Sequence, residues 1–298
     1  MRWLRGAAGA VALAGVSACS SAEVVPEARP RPEREKGSFI ARALAERAPR
    51  PRPPEPSVAP AASFKTPFGQ SIPLLPFRDP ESSIGGRELH YWVVGAGPQN
   101  VLLLGGIHGD ERSSSDAAYD FLLHVLRHPE LVAGRRLVVA PEVNPDGIAA
   151  GTRRNQRGVD VNRNFPAENW CADDAITRHA PGLRPGSEPE TRFVLSLLHR
   201  FPPSVVVSAH AAAACVNWDG PAEGLARSMS RECGLPAKES VGYPTPGSLG
   251  SLLGIDRAIP TITLELDRKD SIEGARDGVR RALLAALRSS DSRPVPSR

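Results

Sequence analysis

Val101-Leu102-Leu103-Leu104-Gly105-Gly106-Ile107-His108-Gly109-Asp110-Glu111 runs from four consecutive aliphatic residues into a glycine turn that carries a histidine and an acid three positions apart. An uninterrupted apolar run of this length reads as a strand covered on both faces. Helical periodicity follows at once, through Ala117, Phe121, Leu122 and Leu126 over residues 113–127. The same alternation continues outward in both directions. Residues 88–94, 136–140, 205–208 and 261–266 are strand-like, and residues 222–233 and 272–287 are helical. Ser187-Glu188-Pro189-Glu190 has the shape of a capping box with proline in the first turn, opening a helix that ends near Arg200. Alternation of this kind predicts an α/β domain over residues 66–290: a mixed, mostly parallel twisted sheet flanked by helices on both faces, with no internal repeat and no second domain.

Three chemically capable residues follow apolar strands in this reading. His108 lies beyond residues 101–104, His210 beyond Val205-Val206-Val207-Ser208-Ala209, and Glu265 closes Thr261-Ile262-Thr263-Leu264. Ligands of open α/β sheets bind beyond the carboxyl ends of the strands, so these residues are expected to converge. His108 and Glu111 with His210 make two imidazoles and a carboxylate, a ligand set that leaves a fourth position on zinc open. The His-x-x-Glu pair alone carries little weight, and it needs the third ligand and a base, which His210 and Glu265 supply.

Between these positions lie Asn144-Pro145-Asp146-Gly147, read as a turn, and Arg153-Arg154-Asn155-Gln156-Arg157-Gly158-Val159-Asp160-Val161-Asn162-Arg163-Asn164-Phe165. Taken with the Gly-x-His-Gly-Asp-Glu turn, the Ser-x-His strand end and the Thr-x-Glu-Leu strand end, in that order, these residues resemble the zinc carboxypeptidase family over about residues 85–290. The resemblance implies one zinc held by His108, Glu111 and His210, with Glu265 as the general base. It implies further that Arg153 steadies the developing oxyanion, that Asn162 and Arg163 grip a terminal carboxylate, and that Tyr243 covers the substrate. Asp160 is expected to back a ligand and Asp110 to orient the His108 turn. His90, His124, His128, His179 and His199 receive no role, and Arg154 and Arg157 read as solvated loop charges.

Within the family the chain is most similar to the murein-tripeptide amidases, which cut between γ-D-glutamate and diaminopimelate. The residues behind this are Asn164-Phe165-Pro166-Ala167-Glu168-Asn169-Trp170, residues 185–191, and Val241-Gly242-Tyr243-Pro244-Thr245-Pro246-Gly247-Ser248. One departure stands out. His210 is followed by Ala211-Ala212, where that branch places Asp-Pro. The resemblance implies a peptide or murein-peptide substrate. A general carboxypeptidase acting on ordinary peptides is the alternative, and a cell-wall-binding lipoprotein without catalysis is the alternative of another class.

The N-terminus reads as something other than fold. Arg2 and Arg5 precede a short apolar run ending in Val16-Ser17-Ala18-Cys19, which resembles the lipobox of bacterial lipoprotein signals. Residues 1–18 are then the signal and Cys19 the lipidated residue, with an ordinary signal peptide as the alternative. Residues 19–65 form a charged, proline-rich tether, and residues 291–298 a disordered tail. The expected location is exported and lipid-anchored in the cell envelope, on the periplasmic side, at the outer membrane if the host has one. The formal net charge of +4 is accounted for by Arg2, Arg5 and residues 23–62, where eight basic side chains face six acidic ones. The folded part is therefore close to neutral, without a basic stripe interleaved with aromatics, and nucleic acid is not an expected partner. No Gly-x-Ser-x-Gly elbow is present, which disfavours a serine hydrolase. Of Cys171, Cys215 and Cys233, either one pair forms a disulfide or all three stay thiols.

Overall fold

The computed structural model describes residues 63–172 and 180–289. The signal segment, Cys19, the proline-rich stretch of residues 23–62, His179 and the C-terminal tail lie outside the described residues. Phe64–Lys65 (β1) pairs antiparallel with Ser71–Ile72 (β2). The chain then enters the sheet through Phe77–Ser82 (β3), Glu88–Val94 (β4) and Gln99–Leu104 (β5). Arg112–Arg127 (α1), Arg135–Ala140 (β6) and Pro145–Ala150 (α2) follow, then Pro189–Arg200 (α3), Val205–Ala211 (β7) and Cys215–Asp219 (β8). Glu223–Cys233 (α4), Ala237–Lys238 (β9), Thr261–Leu266 (β10) and Arg276–Ser289 (α5) complete it.

Eight strands form one mixed sheet in the order β3-β4-β6-β5-β7-β10-β8-β9. The four central strands, β6, β5, β7 and β10, run parallel, whereas β4, β3 and β8 are joined antiparallel. The apolar runs of β5 and β7 are continuous because both faces are covered. Val101 and Leu103 pack with Phe121, Val125, Leu283 and Leu287 on the face carrying α1, α4 and α5. Leu102 and Leu104 pack with Phe193, Leu197 and Leu252 on the other. From β5 the chain passes through α1 to β6 on one side, and from β6 it returns through α3 to β7 on the other. The strand order thus reverses at β5, the point at which such sheets open a crevice.

Several expectations are corrected. Asn144-Pro145-Asp146-Gly147 is not a free-standing turn but the start of α2: Asn144 Oδ1 accepts from Gly147 N at 2.9 Å and Pro145 occupies the first turn. The capping box at Ser187 does not form. Glu188 is the cap residue without a side-chain cap, and the Glu190 carboxylate accepts instead from Asn155 Nδ2 at 3.0 Å. The last helix begins at Arg276 rather than 272, after Gly274 in the left-handed region at φ 84°. The strands β3 and β8 went unread; β3 is an edge strand that tolerates Pro80 because only one of its sides pairs. Cys171, Cys215 and Cys233 form no disulfide among the described residues. Among the described residues, no helix is long and apolar enough to cross a membrane.

Glu142, just beyond β6, lies beside the buried Tyr119 hydroxyl. Burial pushes its carboxyl up to about 7; the Tyr119 hydrogen bond opposes this and the Asp116 charge adds to it. A folded-state pKa above the unfolded value means that ionisation costs stability as pH rises from about 4.5, with the full cost above about 7. Glu142→Gln, which keeps a partner for Tyr119, should therefore stabilise the protein by about 1–3 kcal/mol at about pH 8 and scarcely at about pH 4.5. Thermal melts of the two proteins across this range check it: a parallel pH dependence rules out Glu142 as the source.

Candidate metal centre and active site

Beyond the ends of β5, β7 and β10 the side chains converge as the strand-end pattern predicted. His108, Glu111 and His210 are 3%, 2% and 2% exposed, and a ligand atom from each lies within 4.8 Å of the others. His108 Nδ1 is 2.9 Å from Glu111 Oε1 and 3.1 Å from His210 Nδ1, which is 3.0 Å from Glu111 Oε2. Donor atoms about 2.1 Å from a common tetrahedral zinc lie roughly 3.4 Å apart, so small outward shifts admit the ion. The electrostatics also fit. Burial acts to lower the His108 pKa, but the Glu111 and Asp160 carboxylates outweigh it and raise it to about 9. Glu111 and Asp160, despite burial, are held below the usual carboxylate range by His108. Without an ion, the cluster retains a proton as its cation. A divalent metal supplies that charge directly.

Local structure explains how the ligands are aimed. Gly106 lies at φ 60°, a conformation suited to glycine. A Cβ on Gly109 would meet Gly147 C at 1.9 Å, so the metal turn rests directly on the backbone of α2. Asn144 Nδ2 donates to Ile107 O and Arg153 O, tying the turn to the arginine segment. Glu111 is the cap residue of α1, but its carboxylate is turned away from the helix and also accepts from Ala211 N at 3.0 Å on β7. The other ring nitrogen of His108 donates to Asp160 Oδ1 at 3.2 Å, the outer carboxylate expected behind a ligand. Asp110 does not orient this turn. It accepts from Lys269 Nζ at 2.6 Å across to the loop after β10.

Arg153, Asn162, Arg163, Tyr243 and Glu265 line the same cleft as the three ligands. Arg153 Nε donates to Asp160 Oδ2 at 3.0 Å and its Nη1 to Glu111 Oε1 at 3.3 Å. Asn162 Oδ1 accepts from Leu249 N at 3.0 Å, which leaves its amide NH2 to meet a ligand. Arg163 is 2% exposed and its Nε is buried without a partner. Burial lowers its pKa, with the Arg153 charge adding and Asp160 opposing. Tyr243, 51% exposed, hydrogen-bonds Arg163 at the mouth. Glu265 sits opposite His210 in the β10–β7 register and accepts from Ala213 N at 3.3 Å. Arg157 is an exposed loop charge, as expected, that also pairs with buried Glu188 at 3.3 Å, outside the cleft. His124 and His128 lie against each other at the end of α1, their rings tilted by 48°.

The floor of the cleft was missed. Thr263 pairs in register with Ser208 on one side and Asn217 on the other, and Thr261 pairs with Asp219. All five line the cleft, one and two tiers below the His210–Glu265–Cys215 level. Asp219 packs against the backbone of Gly250 and Gly254, and burial pushes its carboxyl up to about 6. The signal was available as polar residues two apart within apolar strands, Ser208-x-His210 and Thr261-x-Thr263-x-Glu265, which must share one face of the sheet.

A mixed sheet with two imidazoles, a carboxylate and a nearby second acid at its parallel strand ends is the framework of a metallopeptidase. Residues 79–231 match the family described as zinc carboxypeptidase, and the chain belongs to that family of zinc metallopeptidases. Murein peptide amidase A of Escherichia coli K12 is 39% identical over 181 residues, covering 57% of this chain and 72% of that protein. Its namesake in Vibrio campbellii is 35% identical over 202 residues, covering 62% and 77%. Among solved structures, the murein-tripeptide amidase MpaA from Escherichia coli O157 superposes with a TM-score of 0.58 at 34% identity, over 68% of this chain and 89% of that one. Bovine thrombin-activatable fibrinolysis inhibitor, at 19% identity, shares the fold with a TM-score of 0.62 over 72% and 90%.

Zinc at 100 times its dissociation constant should stabilise the protein by about 2.7 kcal/mol, and His210→Ala should lose that gain. Because His108 holds its proton to about pH 9 in the ion-free cluster, binding at about pH 7 must expel about one proton. Titration calorimetry in buffers of different ionisation enthalpy measures both. Zinc uptake without proton release contradicts this account of the site.

Proposed function

We propose that the chain is an exported, lipid-anchored amidase that hydrolyses murein peptides at the bond preceding a terminal diaminopimelate. The observation that carries the substrate is the tiered polar floor ending in Asp219. Diaminopimelate ends in an ammonium and a carboxylate, and a half-buried acid with hydroxyl and amide neighbours suits such a side chain, whereas an apolar side chain would strand those groups. The similarity to murein peptide amidases A supports the same substrate.

His108, Glu111 and His210 would hold the zinc, which would supply Lewis acidity toward the scissile carbonyl and the attacking water. Glu265 would take up a proton from that attacking water and pass it to the leaving amine. Asp160 aims Arg153, whose guanidinium faces the charge that develops on the carbonyl oxygen. The guanidinium of Arg163 and the amide of Asn162, both lining the cleft, receive the substrate's terminal carboxylate. A second reading, a carboxypeptidase on ordinary peptides ending in a cationic residue, draws support from Asp219 as well. The two separate on a panel of L-Ala-γ-D-Glu-diaminopimelate, lysine-ended and phenylalanine-ended peptides: preference for the lysine-ended peptide favours the second and rejects the first.

Glu265→Gln should keep zinc while turnover falls on the order of 10² to 10⁴-fold. Arg153→Ala should lower turnover, and Arg163→Ala should chiefly raise KM for substrates with a free carboxylate. A Glu265→Gln enzyme with bound zinc and the parent rate removes Glu265 from the reaction. For the anchor, Cys19→Ala should abolish acylation and release the protein from membranes, because one charged, proline-rich tether has too little apolar surface to hold it there. Fractionation with fatty-acid labelling reads this, and persistent labelled attachment excludes Cys19 as the anchor.

A further inference from the structure

The two histidine ligands are backed differently. His108 has a carboxylate behind it, that of Asp160. Behind His210 stands only a hydroxyl: Ser208 Oγ lies 3.0 Å from His210 Nε2, and both residues are 2% exposed. Two positions apart on β7, they project from the same face of the sheet, and Thr263 flanks Ser208 in register.

We propose that Ser208 is a positioning residue that fixes the ring orientation and tautomer of His210. His210 Nδ1 is the nitrogen that meets His108 and Glu111, so its lone pair must face the shared point and the ring proton must reside on Nε2. A buried N–H without an acceptor is costly, and Ser208 Oγ provides the acceptor. The alternative tautomer would put a proton on Nδ1, where a metal is to be held, and leave Nε2 a bare acceptor served only by the Ser208 proton. Accepting from His210 also leaves the Ser208 hydrogen directed elsewhere, and Ser208 lines the cleft. A neutral hydroxyl orients the ring without adding negative charge. A second carboxylate there would bury a third anion beside Glu111 and Asp160. Ser208 therefore acts on zinc retention through His210 and does not touch the reacting atoms.

The test is zinc affinity of the full-length protein by competition with a chromophoric chelator, with the thermal midpoint of the zinc-free protein as the control. Outer partners of metal-bound histidines typically contribute 10–100-fold in affinity. Ser208→Ala should weaken zinc by that factor while the zinc-free midpoint stays close to the parent's, and Ser208→Thr, which restores the hydroxyl, should recover most of the loss. A folded Ser208→Ala protein with parent-like zinc affinity overturns the proposal, as does a threonine variant no better than alanine. If Ser208→Ala does not fold, Ser208→Cys keeps the size but offers a poor acceptor and carries the same expectation. Parent-like zinc affinity in that variant is equally decisive against the role.

Discussion

The Glu111 carboxylate joins three separate parts of the chain. One oxygen meets His108 and Arg153, and the other meets His210 and the Ala211 amide on β7. Burying this anion, and Asp160 behind it, is tolerable only because each oxygen has a donor and because positive charge is close by. That requirement propagates. Arg153 has to reach in from the segment after α2, so α2 has to sit against the metal turn, and Gly109 and Gly147 let the two backbones touch. The short helix α2, which carries no ligand, is thus a condition for a fully paired site.

Sheet register does the second part of the work. Aligning Glu265 with His210 and Cys215 also aligns Thr263 with Ser208 and Asn217, and Thr261 with Asp219. A slip of one residue would turn every one of these side chains to the opposite face. The metal level and the pocket floor are therefore set by one alignment, which links ligand geometry to substrate preference. Ala211 closes β7 and Ala212 opens the turn to β8, both beside this alignment and lining the cleft.

The places where local reading failed share a cause. Ser187 and Glu190 have capping chemistry, but Asn155 and Ile84 compete for Glu190, and a long-range partner prevails. Asp110 was assigned to the turn beside it and is instead drawn to Lys269, 159 positions away. The edge strand β3 is held by its pairing with β4, since its own residues, Asp79 and Pro80 among them, carry little strand preference.

By itself the sequence determined the α/β class, the central strands, and which residues form the metal cluster, because hydrophobic periodicity and motif order are local properties: His108 and Glu111 share the turn after β5, and His210 lies near the end of β7. Through the family resemblance it also pointed to Glu265, Arg153 and Arg163, which the structure brings into the same cleft. Only the tertiary structure decided what surrounds them: that Asp160 stands behind His108 and Ser208 behind His210, that Arg163 is buried with an unpaired Nε, and that Asp219 lies at the bottom of the cleft. These depend on which strands become neighbours and in what register, and that choice is made by packing the whole sheet between its helices, a sum over contacts that no single stretch of the chain encodes.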